Sequence, residues 1–225
     1  MSQPVFVAMT IPCTGAEGPG ERFALWTQGC HLGCPGCCNP ELWAPGGDPR
    51  SVASLLADID AERHRIEGVS LLGGEPFEQD AALAELARGV RALGLTVMAY
   101  SGFRLEELEA RGSALLAELD VLVDGRYVES KRTTGRRWIG SSNQRLHFLT
   151  EAYAPDDPRF TEPNHAELRL DNHGRLTVVG FPFESVVRAF PKAAGPSGLG
   201  GPPATGVEAV REASSEAREL DARGA

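Results

Sequence analysis

The chain has 225 residues, of which 42% are hydrophobic and 24% charged, so it can bury one sizeable core but hardly two. Its formal net charge of -9 opposes a general attraction to nucleic acid, and no apolar run is long enough to cross a bilayer. The N-terminus lacks the basic start and sustained apolar stretch of a secretory signal. We therefore expect a cytoplasmic protein with neither a nucleic-acid partner nor a membrane partner.

Four short apolar runs predict buried parallel strands, because each is rich in strand-forming residues and is followed by glycine or a polar residue. They lie at residues 23–26, 69–72, 96–100 and 121–123. The stretches between them have helical periodicity, with Ser51 placed as the N-cap of the first helix and Gly94 as the C-terminal cap of the second. The third periodic stretch runs over residues 105–119. This alternation predicts an α/β fold with right-handed crossovers and a mostly parallel sheet.

Residues 146–149 predict a further strand, and residues 167–170 with 176–179 predict a C-terminal β-hairpin. From residue 191 the composition shifts to Ala, Gly and Pro, which bury too little apolar surface to order a segment. We therefore expect one domain over residues 1–190 and a tail over 191–225 that is disordered or marginally helical.

Polar and glycine-rich segments follow each of the four predicted strands, at positions 28–38, 73–75, 101–102 and 124–125. Because ligands of parallel α/β sheets bind at the carboxyl ends of the strands, we expect these segments to share one rim.

The first of these segments contains three of the five cysteines, Cys30, Cys34 and Cys37, in the spacing CxxxCxxC. Its glycines and proline favour a tight loop, and an odd number of clustered cysteines favours metal binding over a disulfide framework. The three thiolates can hold three irons of a [4Fe-4S] cluster and leave the fourth iron open. The spacing alone also allows a zinc site with Cys38, Cys13 or His31 as fourth ligand.

The cysteine loop together with GGEP at 73–76 resembles the radical S-adenosylmethionine (SAM) superfamily. Within it, EGPGERFALWTQGCHLGCPGCCNPELW at 17–43 is similar to the cluster region of the activating enzymes of anaerobic ribonucleotide reductase and other glycyl-radical enzymes. VDGRYVES at 123–130 and GSSNQR at 140–145 resemble the same branch, so the similarity covers most of residues 6–183. The resemblance implies a partial (βα) radical SAM-type barrel.

The resemblance also implies roles for individual residues. Cys30, Cys34 and Cys37 would bind the cluster, and no further catalytic side chain is implied. The residues that would contact SAM are Gly36, Gly73, Gly74, Glu75, Ser101, Asp124 and Arg126. Alternatives remain open: Glu75 can instead cap the next helix, and Ser101 and Asp124 can be ordinary turn residues.

The implied function is that of an oxidoreductase that cleaves SAM reductively to a 5′-deoxyadenosyl radical and installs a glycyl radical on a partner enzyme. The partner would be a glycyl-radical enzyme such as anaerobic ribonucleoside-triphosphate reductase, and the electron donor a flavodoxin-type or ferredoxin-type protein. Two alternatives are radical modification of a peptide or small metabolite, and a non-enzymatic zinc or electron-transfer module.

Overall fold

The computed structural model describes residues 3–174, 176–181, 183 and 185. The tail expected at 191–225, and with it the end of the domain expected at 1–190, lies outside the described residues. The strands are β1 (Val5–Thr14), β2 (Arg22–Thr27), β3 (Asp48–Arg50), β4 (Gly68–Gly73), β5 (Thr96–Tyr100), β6 (Val121–Asp124), β7 (Arg145–Phe148), β8 (Ala166–Leu170) and β9 (Leu176–Gly180). The α-helices are α1 (Val52–Glu62), α2 (Asp80–Ala92) and α3 (Leu105–Ala110).

The described strands form a mixed sheet and a separate hairpin. The sheet has the order β3-β1-β2-β4-β5-β6-β7, and its four central strands, β2, β4, β5 and β6, run parallel to one another. Strands β1, β3 and β7 are antiparallel to their neighbours, and β8 pairs with β9 alone. The prediction of an α/β fold with a parallel centre and a C-terminal hairpin is therefore confirmed.

The two faces of the sheet are covered differently. Along β4, Val69 and Leu71 point to one face and join the main core with the apolar sides of α1 and α2. Ser70 and Leu72 alternate to the other face, as the period of a strand requires. That second face is covered by loops and by the β8–β9 hairpin, and it contains the candidate site described below.

The predicted helix boundaries are confirmed by their caps. The Ser51 side chain accepts a hydrogen bond from the backbone N–H of Ser54 at 3.1 Å, at the start of α1. Gly94, just after α2, has a φ of +81°, the left-handed conformation expected of a C-terminal cap.

Two parts of the fold differ from the prediction. The third helix ends at Ala110, because Gly112 adopts a φ of +64°, and the rest of the periodic stretch forms a 3-10 turn over Leu116–Glu118. Strands β1 and β3 were not predicted. Strand β1 contains Pro12 and two register shifts against β2, so its burial pattern lacks the regular alternation that marks a strand.

None of the helices in the described part of the chain is long and apolar enough to span a bilayer.

Candidate functional site

A cavity of about 420 Å³ lies on the sheet face opposite α1 and α2, within the size range of small-molecule sites. Its walls include the cysteine loop, the ends of β4 and β5, the segments after β6 and around Trp138, the end of the hairpin, and the residues just before and within β2. The rim predicted from the strand order is therefore largely assembled, since the segments after β2, β4, β5 and β6 all contribute residues.

The backbone of the cysteine loop turns at glycines. Each of the three cysteines directly follows a glycine in the left-handed region, with φ of +102° at Gly29, +54° at Gly33 and +72° at Gly36. Because glycine adopts this conformation without the penalty that a Cβ imposes, the pattern Gly-Cys bends the chain before each thiol. The predicted tight loop is confirmed, and Cys30, Cys34 and Cys37 all line the same cavity.

Backbone hydrogen bonds fix this loop to its surroundings. Gly29 donates to the carbonyl of Leu42 at 2.9 Å, and Cys30 donates to the carbonyl of Trp43 at 3.0 Å. On the other side, the N–H of Glu75 donates to the carbonyl of Gly29 at 2.8 Å. The loop is thus held to the end of β4 by main-chain contacts and does not depend on its side chains for position.

The three thiols are free and half-buried. Burial raises the pKa of Cys30 and of Cys34, whereas a hydrogen bond with Cys38 lowers the pKa of Cys37 to about 6. Cys38 also lines the cavity, while Cys13 lies elsewhere, 3.2 Å from the carboxyl group of Glu21.

The donor set fits an iron–sulfur cluster. Three thiolates are the ligands that iron–sulfur clusters take, and here they converge on one cavity from a loop that can wrap around a cube. A single tetrahedral ion needs ligand atoms about 2.3 Å from one centre, whereas the cysteines of a cluster bind different irons. Among the described residues, no three His, Cys, Asp or Glu side chains are grouped closely enough to hold one metal ion.

The GGEP stretch lies against the cysteine loop. The N–H of Gly74 donates to the carbonyl of Thr27 at 2.8 Å, and a Cβ built on Gly74 would lie 2.1 Å from the carbonyl oxygen of Gly29. Only glycine permits this approach, so the backbone of β4 and that of the cysteine loop are in direct contact. Gly73 and Gly74 both line the cavity, and their contact with SAM stays a prediction.

Glu75 is buried, and its carboxylate joins the ends of two strands. It accepts hydrogen bonds from the N–H of Phe77 at 3.1 Å, from the hydroxyl of Ser101 at 2.9 Å and from the N–H of Gly102 at 2.8 Å. Burial raises its pKa to about 7. Of the roles considered for Glu75, the structure shows the cap of the 3-10 turn that begins at Pro76. Glu75 and Ser101 also line the cavity, and their contact with SAM stays a prediction.

Asp124 and Arg126 are placed outside the cavity. Both line a neighbouring polar cleft of about 390 Å³, and only Gly125 between them reaches the first cavity. Burial raises the pKa of Asp124, but hydrogen bonds from Arg145 and from the N–H of Leu105 outweigh it and leave that pKa lowered. Arg126 nevertheless donates from Nη1 to the carbonyl of Leu32 in the cysteine loop at 3.4 Å, and the SAM contacts of Asp124 and Arg126 stay a prediction.

Gly36 likewise lies outside the cavity lining. The space beside its Cα is filled by the side chain of Glu129, within 3.0 Å of a built Cβ. Its backbone contact with SAM stays a prediction.

Sequence reasoning missed two parts of the lining. Trp138 is one of them: it lines the cavity together with Trp26 and Trp43, the other two tryptophans of the chain. Glu17 is the other, since it also lines the cavity. Contacts between segments more than 100 residues apart have no local signal in a single sequence.

Comparison with known proteins assigns the family. Residues 16–147 match the model of a family described as "4Fe-4S single cluster domain". The chain is 33% identical over 146 residues to the anaerobic ribonucleoside-triphosphate reductase-activating protein of Escherichia coli K12, covering 61% of this chain and 95% of that protein. The chain belongs to this family of activating proteins.

Other family members match over the same extent. The activating protein of Vibrio cholerae serotype O1 is 32% identical over 147 residues, covering 62% of this chain and 95% of that protein. The one from Enterobacteria phage T4 is 28% identical over 146 residues, covering 62% of this chain and 92% of that protein. In this member of the family, the β8–β9 hairpin lies beyond the part that the family model matches, yet it supplies Val178, Gly180 and Phe181 to the cavity wall.

Proposed function

We propose that the chain is a radical SAM enzyme that binds a [4Fe-4S] cluster through Cys30, Cys34 and Cys37 and activates anaerobic ribonucleoside-triphosphate reductase by installing a glycyl radical. One observation carries this proposal. In a member of the activating-protein family, three free thiols line one cavity with Gly73 and Gly74, and backbone hydrogen bonds hold the two segments together.

The bound cofactors would supply the redox chemistry: one electron from a flavodoxin-type or ferredoxin-type donor splits SAM into methionine and a 5′-deoxyadenosyl radical, which takes one hydrogen atom from a glycine α-carbon. The products of this hydrogen transfer are 5′-deoxyadenosine and a glycyl radical on the partner. The α/β sheet, with helices on its outer face, would form the partial barrel around this reaction, within a domain over residues 1–190.

The chain's own residues would bind and orient SAM and would keep water out of the cavity. The backbone of Gly73 and Gly74 lets the methionyl end of SAM approach the loop, and Glu75 holds the ends of β4 and β5 in register. Trp26, Leu72 and Trp138 give the cavity apolar walls that keep water from a reactive intermediate. Ser101 is the nearest further candidate for SAM, whereas Gly36, Asp124 and Arg126 would need the ligand to extend beyond the cavity.

Anaerobic reconstitution with iron and sulfide, followed by reduction in the presence of SAM, tests the enzyme proposal. We expect 5′-deoxyadenosine and methionine in equal amounts. Cys30→Ala, Cys34→Ala and Cys37→Ala should each abolish the product, whereas Cys13→Ala should not, because Cys13 lies outside the cavity. Cys38→Ala is also expected to spare turnover, although its contact with Cys37 makes Cys13→Ala the cleaner control.

Two results would refute this assignment. An intact cluster that leaves SAM unchanged would point to an electron-transfer module. Stoichiometric zinc in anaerobically purified protein, with no SAM cleavage after reconstitution, would point to a zinc module.

One observation favours a second substrate class. The hairpin that lies beyond the family match supplies part of the cavity wall, so this chain could take a peptide or a small metabolite in place of a protein loop. Electron paramagnetic resonance after incubation with the reductase distinguishes activation of the reductase from modification of a peptide or small metabolite. A glycyl-radical doublet on the reductase supports activation, and its absence while SAM is still cleaved supports the alternative.

A further inference from the structure

The segment that follows β6, residues 125–129, lies against the cysteine loop. The main-chain N–H of Tyr127 donates a hydrogen bond to the thiol of Cys34. One residue earlier, the side chain of Arg126 donates to the carbonyl of Leu32 at 3.4 Å. One of the three predicted cluster ligands is therefore contacted by a main-chain donor from outside its own loop.

Three side chains of a later segment hold the main chain on both sides of Tyr127. They are Gln144, which donates to the carbonyl of Gly125 at 3.0 Å, Asn143, which donates to the carbonyl of Arg126 at 2.8 Å, and Ser141, which accepts from the N–H of Val128 at 3.1 Å. We call Ser141, Asn143 and Gln144 the polar clamp. Because its bonds lie directly before and after Tyr127, the clamp fixes the direction in which the Tyr127 N–H points.

The clamp is itself held in place. The Oε1 of Gln144 accepts from the N–H of Gly140 and from that of Ser141, both at 3.0 Å. Ser141 is fully buried, and its carbonyl accepts from the N–H of Gln144 at 2.9 Å. The amide of Gln144 is thus engaged at its oxygen and at its nitrogen, so Gln144 acts on the protein chain although it also lines the cavity.

A hydrogen bond to a ligand sulfur affects how readily an iron–sulfur cluster takes up an electron. The N–H presents the positive end of its dipole to the sulfur, so it stabilises the reduced cluster, which has one more negative charge. Groups that orient such a donor without touching the metal commonly tune the site. Moving the Tyr127 N–H away from Cys34 should therefore make the cluster harder to reduce.

We propose that the polar clamp positions the Tyr127 N–H against the sulfur of Cys34 and thereby raises the reduction potential of the cluster. This inference rests on the proposed function, which assigns the cluster to Cys30, Cys34 and Cys37. The three clamp side chains are positioning residues, since they act through the main chain of residues 125–128. Their effect bears on the reaction because the cluster must accept one electron from the donor before SAM is split.

A potentiometric titration of the reconstituted protein without SAM, followed by electron paramagnetic resonance of the reduced cluster, tests the clamp. The variants are Ser141→Ala, Asn143→Leu and Gln144→Met, each of which removes one bond to residues 125–128 without adding a charge. We expect each to lower the ratio of reduced to oxidised cluster at a fixed potential by up to about tenfold, the effect of one hydrogen bond. A tenfold change is a shift of about 59 mV to lower potential for a one-electron couple.

The matched control is Ser142→Ala, which removes an exposed hydroxyl from the same run of residues. It should have the wild-type potential. The iron content of every protein is measured, so that potentials are compared between proteins with a complete cluster. If Asn143→Leu or Gln144→Met does not retain the cluster, Ser141→Ala decides, because it removes a single hydroxyl group.

The proposal is overturned if the clamp variants have the wild-type potential at full iron content, if their potential rises, or if Ser142→Ala shifts it equally. A wild type that forms no [4Fe-4S] cluster refutes the proposed function and the clamp with it. A wild-type cluster whose potential the variants leave unchanged refutes the clamp alone. SAM cleavage is scored separately by 5′-deoxyadenosine, so the two failures are read from different measurements.

Discussion

At the scale of single residues, the site depends on close contact between the main chain of the cysteine loop and the main chain at the end of β4. Gly74 touches Gly29 so closely that no side chain fits between them, and this contact sets the spacing between the cysteine loop and β4. Glycine at this position is therefore a packing requirement, independent of any ligand that binds there.

Gly74→Ala should separate the two segments and reduce both stability and cluster content. Because the clash is with main chain and not with a flexible side chain, we expect a loss of about 2 kcal/mol or more in the free energy of unfolding. Chemical denaturation and the iron content after reconstitution check this. Gly135→Ala is the matched control, since within the described part of the chain a Cβ there would meet Thr133 Oγ1 alone, at an ordinary contact distance of 3.6 Å. Equal stability of the two variants would contradict the prediction.

Glu17 should also make stability depend on pH. Its folded pKa of about 8 lies above the ordinary 4.5, so the unfolded chain gives up this proton first as pH rises. The stabilisation is fully present below about pH 4.5 and is lost as pH rises through about 8. Between about pH 5 and pH 9, the free energy of unfolding of wild type should fall by on the order of 3 kcal/mol more than that of Glu17→Gln.

Urea unfolding of both proteins at several pH values measures this difference. Tyr100, Glu167 and Cys38 are the titratable groups that interact with Glu17, and they are common to both proteins, so the difference isolates Glu17. Parallel pH profiles would show that the carboxyl group is solvated in the folded protein.

At the scale of secondary-structure elements, one buried arginine links three strands of the sheet to the segment before the hairpin. Arg22 begins β2 and is fully buried, and burial lowers its pKa. Its guanidinium donates to partners on β4, on β5 and on the segment before the hairpin: Ser70 Oγ at 2.8 Å, Val69 O at 2.8 Å, Thr96 Oγ1 at 3.0 Å and Tyr153 Oη at 3.1 Å.

Arg22→Leu should therefore destabilise the whole sheet. Several buried acceptors would lose their donor at once, and we expect a cost of about 3 kcal/mol or more. The control is Arg63→Leu, because Arg63 is exposed and, among the described residues, pairs with Asp60 at 3.3 Å across a surface contact worth less than about 1 kcal/mol. Thermal denaturation compares the two, and a small effect of Arg22→Leu would mean that water replaces the guanidinium.

The elements show which parts of the fold a sequence reveals. Strands β2, β4, β5 and β6 are predictable because buried parallel strands are continuously apolar, and the cysteine spacing identifies the loop after β2. Strand β1 has two register shifts, so its sequence lacks the alternation of apolar and polar residues that predicts a strand. The hairpin is visible as a hairpin, but its docking onto Glu17 joins residues 163 positions apart, and no local propensity encodes such a contact.

At the scale of the whole molecule, the helices cover one face of the sheet and the cavity occupies the other. The family match ends at residue 147, before the hairpin that completes the cavity wall. Most of the cavity wall, including the cysteine loop, is thus built from the family's shared region, and Val178, Gly180 and Phe181 beyond that region complete it.

The division into a domain over 1–190 and a tail over 191–225 predicts the effect of a deletion. A segment composed mainly of Ala, Gly and Pro buries little apolar surface, so removing residues 191–225 should change the melting temperature by less than about 2 °C. The formation of 5′-deoxyadenosine should stay within about twofold of the full chain. Differential scanning calorimetry and the SAM cleavage assay on both lengths check this, and a fall of more than about 5 °C would place the tail within the folded domain.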